Sequence, residues 1–132
     1  MTTDLVTVTA DDPVELAANL MDWHRIRQVL VEDADHHLVG LVSYRTILRL
    51  FSRGLPAVRL ADVPVGEVMR RNPVCVPPDI APLRALELMR SFGIGALPVV
   101  HGEQLVGLVT EHDFMNVAGV LLLQQLTEGN PQ

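Results

Sequence analysis

The chain has 132 residues, 48% of them hydrophobic, a formal net charge of −6 and one cysteine. This composition supports a packed core rather than disorder, excludes an internal disulfide, fits a reducing cytoplasmic compartment, and argues against broad nucleic-acid binding, which needs a basic footprint. No apolar run reaches the roughly 18–20 residues of a membrane span, and Met1-Thr2-Thr3-Asp4 lacks the basic-then-apolar pattern of a signal peptide.

Leu5 to Val8 reads as a short β-branched strand. Asp11-Asp12-Pro13 supplies an acidic cap and an early proline, predicting a helix start. Leu16, Ala17, Leu20 and Met21 keep the i, i+3, i+4 spacing of a buried helical face, with Trp23 and Met21 closing the helix against the core. Val29–Val31 and Leu38–Val42 are predicted strands around the polar turn Glu32 to His37. In that turn His36-His37, with no further Cys or His cluster nearby, reads as a solvated loop rather than a metal site. Thr46 to Phe51 is predicted helical. Ser52 to Val65, with Gly54, Pro56 and Pro64, reads as a linker, and Gly66 to Arg70 as a short helical turn.

The second half repeats the pattern. Val74–Val76 is a predicted strand containing a buried Cys75, and Pro77-Pro78-Asp79 starts a helix with Leu83, Leu86, Met89 and Phe92 as its apolar stripe. Leu97–Val100 and Gln104–Val109 are strands around the turn His101-Gly102-Glu103. A last helix is predicted from about Glu111 to Leu126, apolar from Val117 to Leu123, with a frayed tail at Gly129-Asn130-Pro131.

The two halves are copies. Leu20-Met21 returns as Leu88-Met89, and Gly40-Leu41-Val42-Ser43 as Gly107-Leu108-Val109-Thr110. The spacing is 68 residues for the first pair and 67 for the second, which fits one extra residue in the Asp33–His37 loop. The predicted class is α+β: two strand–helix–strand–strand–helix units, residues 1–54 and 64–128, joined by a linker at 55–63. A unit of this size buries too little surface to be robust alone, so the two should pack together about a pseudo-two-fold axis.

Asn72-Pro73-Val74, Pro78-Asp79, Ala85-Leu86-Glu87-Leu88-Met89, Gly95-Ala96-Leu97-Pro98-Val99-Val100 and Gly107-Leu108-Val109-Thr110-Glu111-His112-Asp113 resemble a pair of cystathionine β-synthase (CBS) domains, a Bateman module. The first copy is looser: Leu30 replaces the proline of Leu-Pro-Val-Val, and Thr46 stands where the second copy has Asp113. Family members usually carry a lead-in such as Val65-Gly66-Glu67-Val68-Met69 on both repeats. Almost nothing precedes Leu5, so the expectation is that Met1 begins a piece of a larger protein, or that another segment supplies the lead-in.

The resemblance implies binding of an adenosine-containing ligand such as AMP, ADP, ATP or S-adenosylmethionine, with no required cofactor and no catalysis. Thr110 lies where strand meets helix, so its hydroxyl and the first helical N–H groups could receive a phosphate. Asp113, one turn on, could accept both ribose hydroxyls. The alternative is that Thr110 and Asp113 only cap the last helix, as in a capping box. Ser43 and Thr46 are their counterparts in the first repeat, a seat expected to be weaker because a neutral threonine chelates a ribose poorly.

The family pattern completes each seat across the pair. Ile26, Arg27 and Gln28 would serve Asp113; Ile94, Gly95 and Ala96, with Val68, would serve Ser43. The adenine wall of the Asp113 seat would be the incomplete one, because its lead-in is missing. Arg25, Arg27, Arg45 and His112 are candidate phosphate ligands, or else solvated charges. No Ser/His/Asp order, paired carboxylates or phosphate-loop motif stands out. The expected role is regulation of an attached domain or partner. The rival is a ligand-free dimerisation scaffold; a disc-like homodimer is expected under either.

Overall fold

In the computed structural model, which describes residues 3–54 and 57–113, the chain starts with β1 (Thr7–Val8), α1 (Val14–His24), β2 (Gln28–Glu32), β3 (Leu38–Ser43) and α2 (Tyr44–Ser52). A 3-10 turn at Ala57–Asp62, the one-turn helix α3 (Val65–Val68) and β4 (Arg70–Arg71) lead to α4 (Pro82–Phe92), β5 (Ala96–His101) and β6 (Gln104–Thr110). One four-stranded sheet runs β1-β2-β3-β4, with β1 parallel to β2 and the others antiparallel. β5 and β6 form an antiparallel pair. The α+β class with its repeated unit is therefore present. Val31 pairs with Gly40 and Val99 with Gly107, so the first hairpin is one residue longer, as the repeat spacing requires. No helix among the described residues is long and apolar enough to cross a membrane.

Each repeat has its own apolar cluster. Val8, Val14, Ala17, Met21, Val29, Val31, Val42 and Ile47 form the first; Val76, Ala85, Met89, Leu97 and Val99 form the second. The first cluster also takes in Leu60 and Val65, with Val63, Val68 and Met69 packed against it. The stretch expected to be a linker thus contributes core to the first repeat. Its backbone is tied there as well: Val14 N–H donates to Val63 O (2.8 Å), and Val65 and Gly66 N–H donate to Asp12 O (2.7 Å) and Ala10 O (2.8 Å). β4 then pairs with β3, Gly40 opposite Arg71. A Cβ at Gly40 would lie 2.9 Å from Met69 Cγ, so glycine is what lets this segment lie close on the strand.

Several local expectations are corrected. The N-cap of α1 is Pro13, in extended conformation and without a side-chain cap bond; Asp12 instead accepts from Thr9 N–H at 2.8 Å. α4 starts at Pro82, not at Pro77-Pro78-Asp79, because a proline at the first helical position loses no hydrogen bond. Of Val74–Val76 only Val76 pairs, in parallel with Val99, and Cys75 is exposed. Trp23 is 83% exposed and Leu83 75%, and Leu16, Leu48, Phe51 and Phe92 are also exposed, so the apolar stripes extend past what one repeat buries. The expected last helix beyond Asp113, its apolar stretch Val117–Leu123 and the tail at Gly129-Asn130-Pro131 lie outside the described residues.

Candidate functional site: two strand-to-helix corners

Each repeat turns from a hairpin strand directly into a helix, and the candidate residues gather at these corners. In the second repeat β6 ends at Thr110 and residues 111–113 are helical. Thr110 N–H donates to Asp113 Oδ2 at 2.8 Å, and Thr110 Oγ1 lies 3.4 Å from the same oxygen. This is one half of a capping box: a carboxylate on the first helical turn satisfies the N–H of the residue that opens it. Both residues are half-buried, and His112 between them is exposed. A carboxylate offers about four acceptor positions, so the cap leaves Asp113 capacity for further donors.

The floor of this corner comes from β5. Ala96 pairs with Thr110, and Glu111 N–H donates to Gly95 O at 3.1 Å. The Glu111 side chain lies against Gly95, its carboxyl carbon 3.4 Å from where a Cβ on that glycine would stand. Beside it lies an open groove of about 280 Å³ lined by Leu86, Met89, Arg90, Gly93, Ile94 and Glu111.

The first repeat builds the same corner with different chemistry. Ser43 caps α2, its Oγ accepting from Thr46 N–H at 3.4 Å and lying 3.4 Å from Thr46 Oγ1. Gln28 pairs with Ser43, and Tyr44 N–H donates to Arg27 O at 2.9 Å, matching the bond between Glu111 and Gly95. Where the second repeat has the Glu111 carboxylate, the first has a tyrosine ring. The guanidinium carbons of Arg27 and Arg45 lie 5.8 and 6.0 Å from its centroid, within cation–π range. Tyr44 first, and Glu111 of the other repeat to a lesser degree, raise the Arg45 pKa above its ordinary value against an opposing effect of burial.

The hydrogen bonds and strand pairing therefore run from Gln28 and Arg27 to the Ser43 corner of their own repeat, and from Gly95 and Ala96 to the Thr110 corner. Ile26 and Ile94 accompany them, each donating its N–H to the fifth residue back, Met21 O and Met89 O at 3.0 Å. Across the repeats, the charge of Glu111 acts on Arg45, more weakly than Tyr44 does. Val68 packs with α3 against the core of the first repeat, on the sheet that ends at Ser43. Arg25 is at the C-cap of α1, in the left-handed region at φ 55°. Tyr44 and Glu111 are corner residues that motif reading did not single out as candidates; they follow Ser43 and Thr110 directly, so superposing the two repeats brings them out.

Comparison with known proteins shows the family and the fold. The CBS domain family profile matches residues 1–53 and 65–119. The chain is 32% identical over 113 residues to inosine-5'-monophosphate dehydrogenase of Methanocaldococcus jannaschii, a match covering 85% of this chain and 21% of the enzyme. It thus spans about a fifth of that relative's length. A CBS domain-containing protein of Dictyostelium discoideum is 30% identical over 141 residues, covering all of this chain and 94% of the relative. Among solved structures, CBSX2 in complex with AMP shares the fold with a TM-score of 0.80, at 25% identity over 92% of this chain and 93% of that one. The CBS domain pair of protein MJ0100, in complex with 5-methylthioadenosine and S-adenosyl-L-methionine, gives a TM-score of 0.81 at 22% identity, over 90% and 91% of the two chains. With the family profile covering both repeats and two equivalent strand-to-helix corners built from them, this chain belongs to the CBS domain family, as a tandem pair.

Proposed function

We propose that the chain is a cytoplasmic regulatory module that binds an adenosine ligand in the cleft between its repeats and passes the change to an attached domain or partner. The observation that carries this reading is the Thr110–Asp113 corner, where a half-buried carboxylate on the first helical turn accepts the N–H of Thr110, itself paired with Ala96. Asp113 would hold the ribose hydroxyls, Thr110 and the helical N–H groups a phosphate, and Ile26, Arg27 and Gln28 of the first repeat the flat base. AMP in CBSX2, and S-adenosyl-L-methionine and 5-methylthioadenosine in MJ0100, support an adenosine ligand. The catalytic relative supports attachment to a larger protein, and the Dictyostelium discoideum relative, nearly matched in length, supports a module acting as a separate chain. In neither case does the module supply chemistry; it supplies differential affinity for two states.

Calorimetric titration of the protein with AMP, ADP, ATP and S-adenosylmethionine tests this. Saturable heat at one or two ligands per chain is expected from at least one of the four. No heat from any of them would sink the ligand reading and leave the scaffold. That second reading has its own support in the exposed Trp23, Leu48, Phe51, Leu83 and Phe92, an apolar helical surface suited to a second copy of the chain.

A further inference from the structure

Away from the corners, the turn between β2 and β3 brings together a set of side chains that the sequence presented as a solvated loop. Asp33 Oδ1 accepts the N–H of Asp35 and of His37, both at 2.9 Å, which winds the turn so that Asp33, Asp35 and His37 converge. A ligand atom from each of the three lies within 4.8 Å of the others.

The second repeat reaches this turn through its own β5–β6 turn. Glu103 Oε2 lies 3.5 Å from His37 Nε2, Gln104 Nε2 donates to Asp35 O at 3.2 Å, and Leu105 N–H donates to His36 O at 3.5 Å. His37 therefore stands between two carboxylates. One ring nitrogen, Nδ1, lies 3.6 Å from Asp33 Oδ2, while the other faces Glu103. His36 is engaged elsewhere, its Nδ1 lying 3.2 Å from Glu32 Oε1.

This arrangement has the chemistry of a small metal centre. An imidazole nitrogen with two carboxylates suits a borderline divalent ion of the zinc type, whose bonds of about 2.1 Å place tetrahedral ligands about 3.4 Å apart. The separation of 3.6 Å between Nδ1 and Asp33 Oδ2 is close to that edge. A metal-bound histidine usually has its second nitrogen held by a carboxylate, which fixes the ring and raises its basicity; Glu103 stands in that position. Calcium is disfavoured, because it seeks six to eight oxygens. We propose that Asp33, Asp35 and His37 bind one zinc-type divalent ion at the meeting of the two hairpin turns, with Glu103 of the second repeat as the outer carboxylate. The ion then clamps the two repeats to each other.

The test is titration of chelator-treated protein with Zn²⁺ alone, followed by calorimetry and thermal unfolding, on wild type, His37→Gln, Glu103→Gln and His36→Gln, each checked for native circular dichroism. The expected result is one ion per chain, a raised melting temperature, at least a hundredfold loss of affinity in His37→Gln, and a loss of about ten- to a hundredfold in Glu103→Gln. His36→Gln should stay within about twofold of wild type. Replacing Zn²⁺ by Co²⁺ should give visible absorption of a four-coordinate nitrogen–oxygen site, lost in His37→Gln. Absence of saturable Zn²⁺ binding, binding unchanged by His37→Gln, or binding abolished by His36→Gln would each overturn the assignment.

Discussion

At the scale of single residues, the two copies of the unit differ where the chemistry is. Asp113 binds the N–H of Thr110 at 2.8 Å, whereas Ser43 and Thr46 share two longer contacts of 3.4 Å. The cap uses only part of the acceptor capacity of the Asp113 carboxylate, which leaves lone pairs for the proposed ribose contact. The asymmetry was legible in the sequence, because Asp113 and Thr46 occupy matching positions. The neighbours Tyr44 and Glu111 were not, since neither type signals a site until the corner is folded and the Arg27–Tyr44–Arg45 group forms. Another mismatched pair yields a stability prediction. α1 and α4 end alike, with a left-handed residue after the last turn, but that residue is Arg25 in one and Gly93 in the other. A Cβ there carries a steric cost, partly offset by the greater unfolded-state entropy of glycine. Arg25→Gly should stabilise the fold by about 0.5–1 kcal/mol in urea denaturation; a loss of stability would show that the Arg25 side chain makes a compensating contact.

At the scale of elements, local signals located the hairpins and helices well and the connecting segment poorly. Gly54, Pro56 and Pro64 punctuate residues 52–65 in the manner of a linker, yet Leu60 is 5% exposed and Val65 fully buried in the first core. No periodicity reveals this, because a 3-10 turn and a single helical turn are too short to show one. The burial is decided by tertiary partners: β4 lies along β3, and the N-terminal end of α1 is satisfied by Val63 O rather than by a side chain. A tertiary partner likewise decided which part of the predicted strand Val74–Val76 is paired, since only Val76 lies against Val99. Leu60→Ala should accordingly behave as a core truncation, costing about 2–4 kcal/mol, measured by chemical denaturation. A cost below about 0.5 kcal/mol would mean that the segment only bridges the repeats.

At the scale of the whole molecule, the internal repeat, the α+β class and the family were all readable from the sequence, because ordered motifs in two copies constrain the fold more than any one element does. The apolar stripes were readable too, but not their fate: Trp23 and Leu83 point outward, while Ala17, Met21, Ala85 and Met89 fill the cores. The proposed homodimer would cover the exposed apolar surface on α1, α2 and α4. Light scattering should report twice the mass of one chain, and Trp23→Glu combined with Leu83→Glu should shift the protein towards monomer with unchanged circular dichroism. A wild-type monomer at all concentrations would remove the dimer.

The central claim is that the Asp113 carboxylate holds an adenosine ligand. The most direct measurement is the AMP dissociation constant of Asp113→Asn relative to wild type. Asparagine can still accept from Thr110 N–H, so the cap survives while the charge is removed. With charge-assisted bonds contributing about 1.5–3 kcal/mol each, affinity should fall about ten- to a hundredfold. An unchanged dissociation constant in a folded Asp113→Asn protein would contradict the account and place the ligand away from this corner.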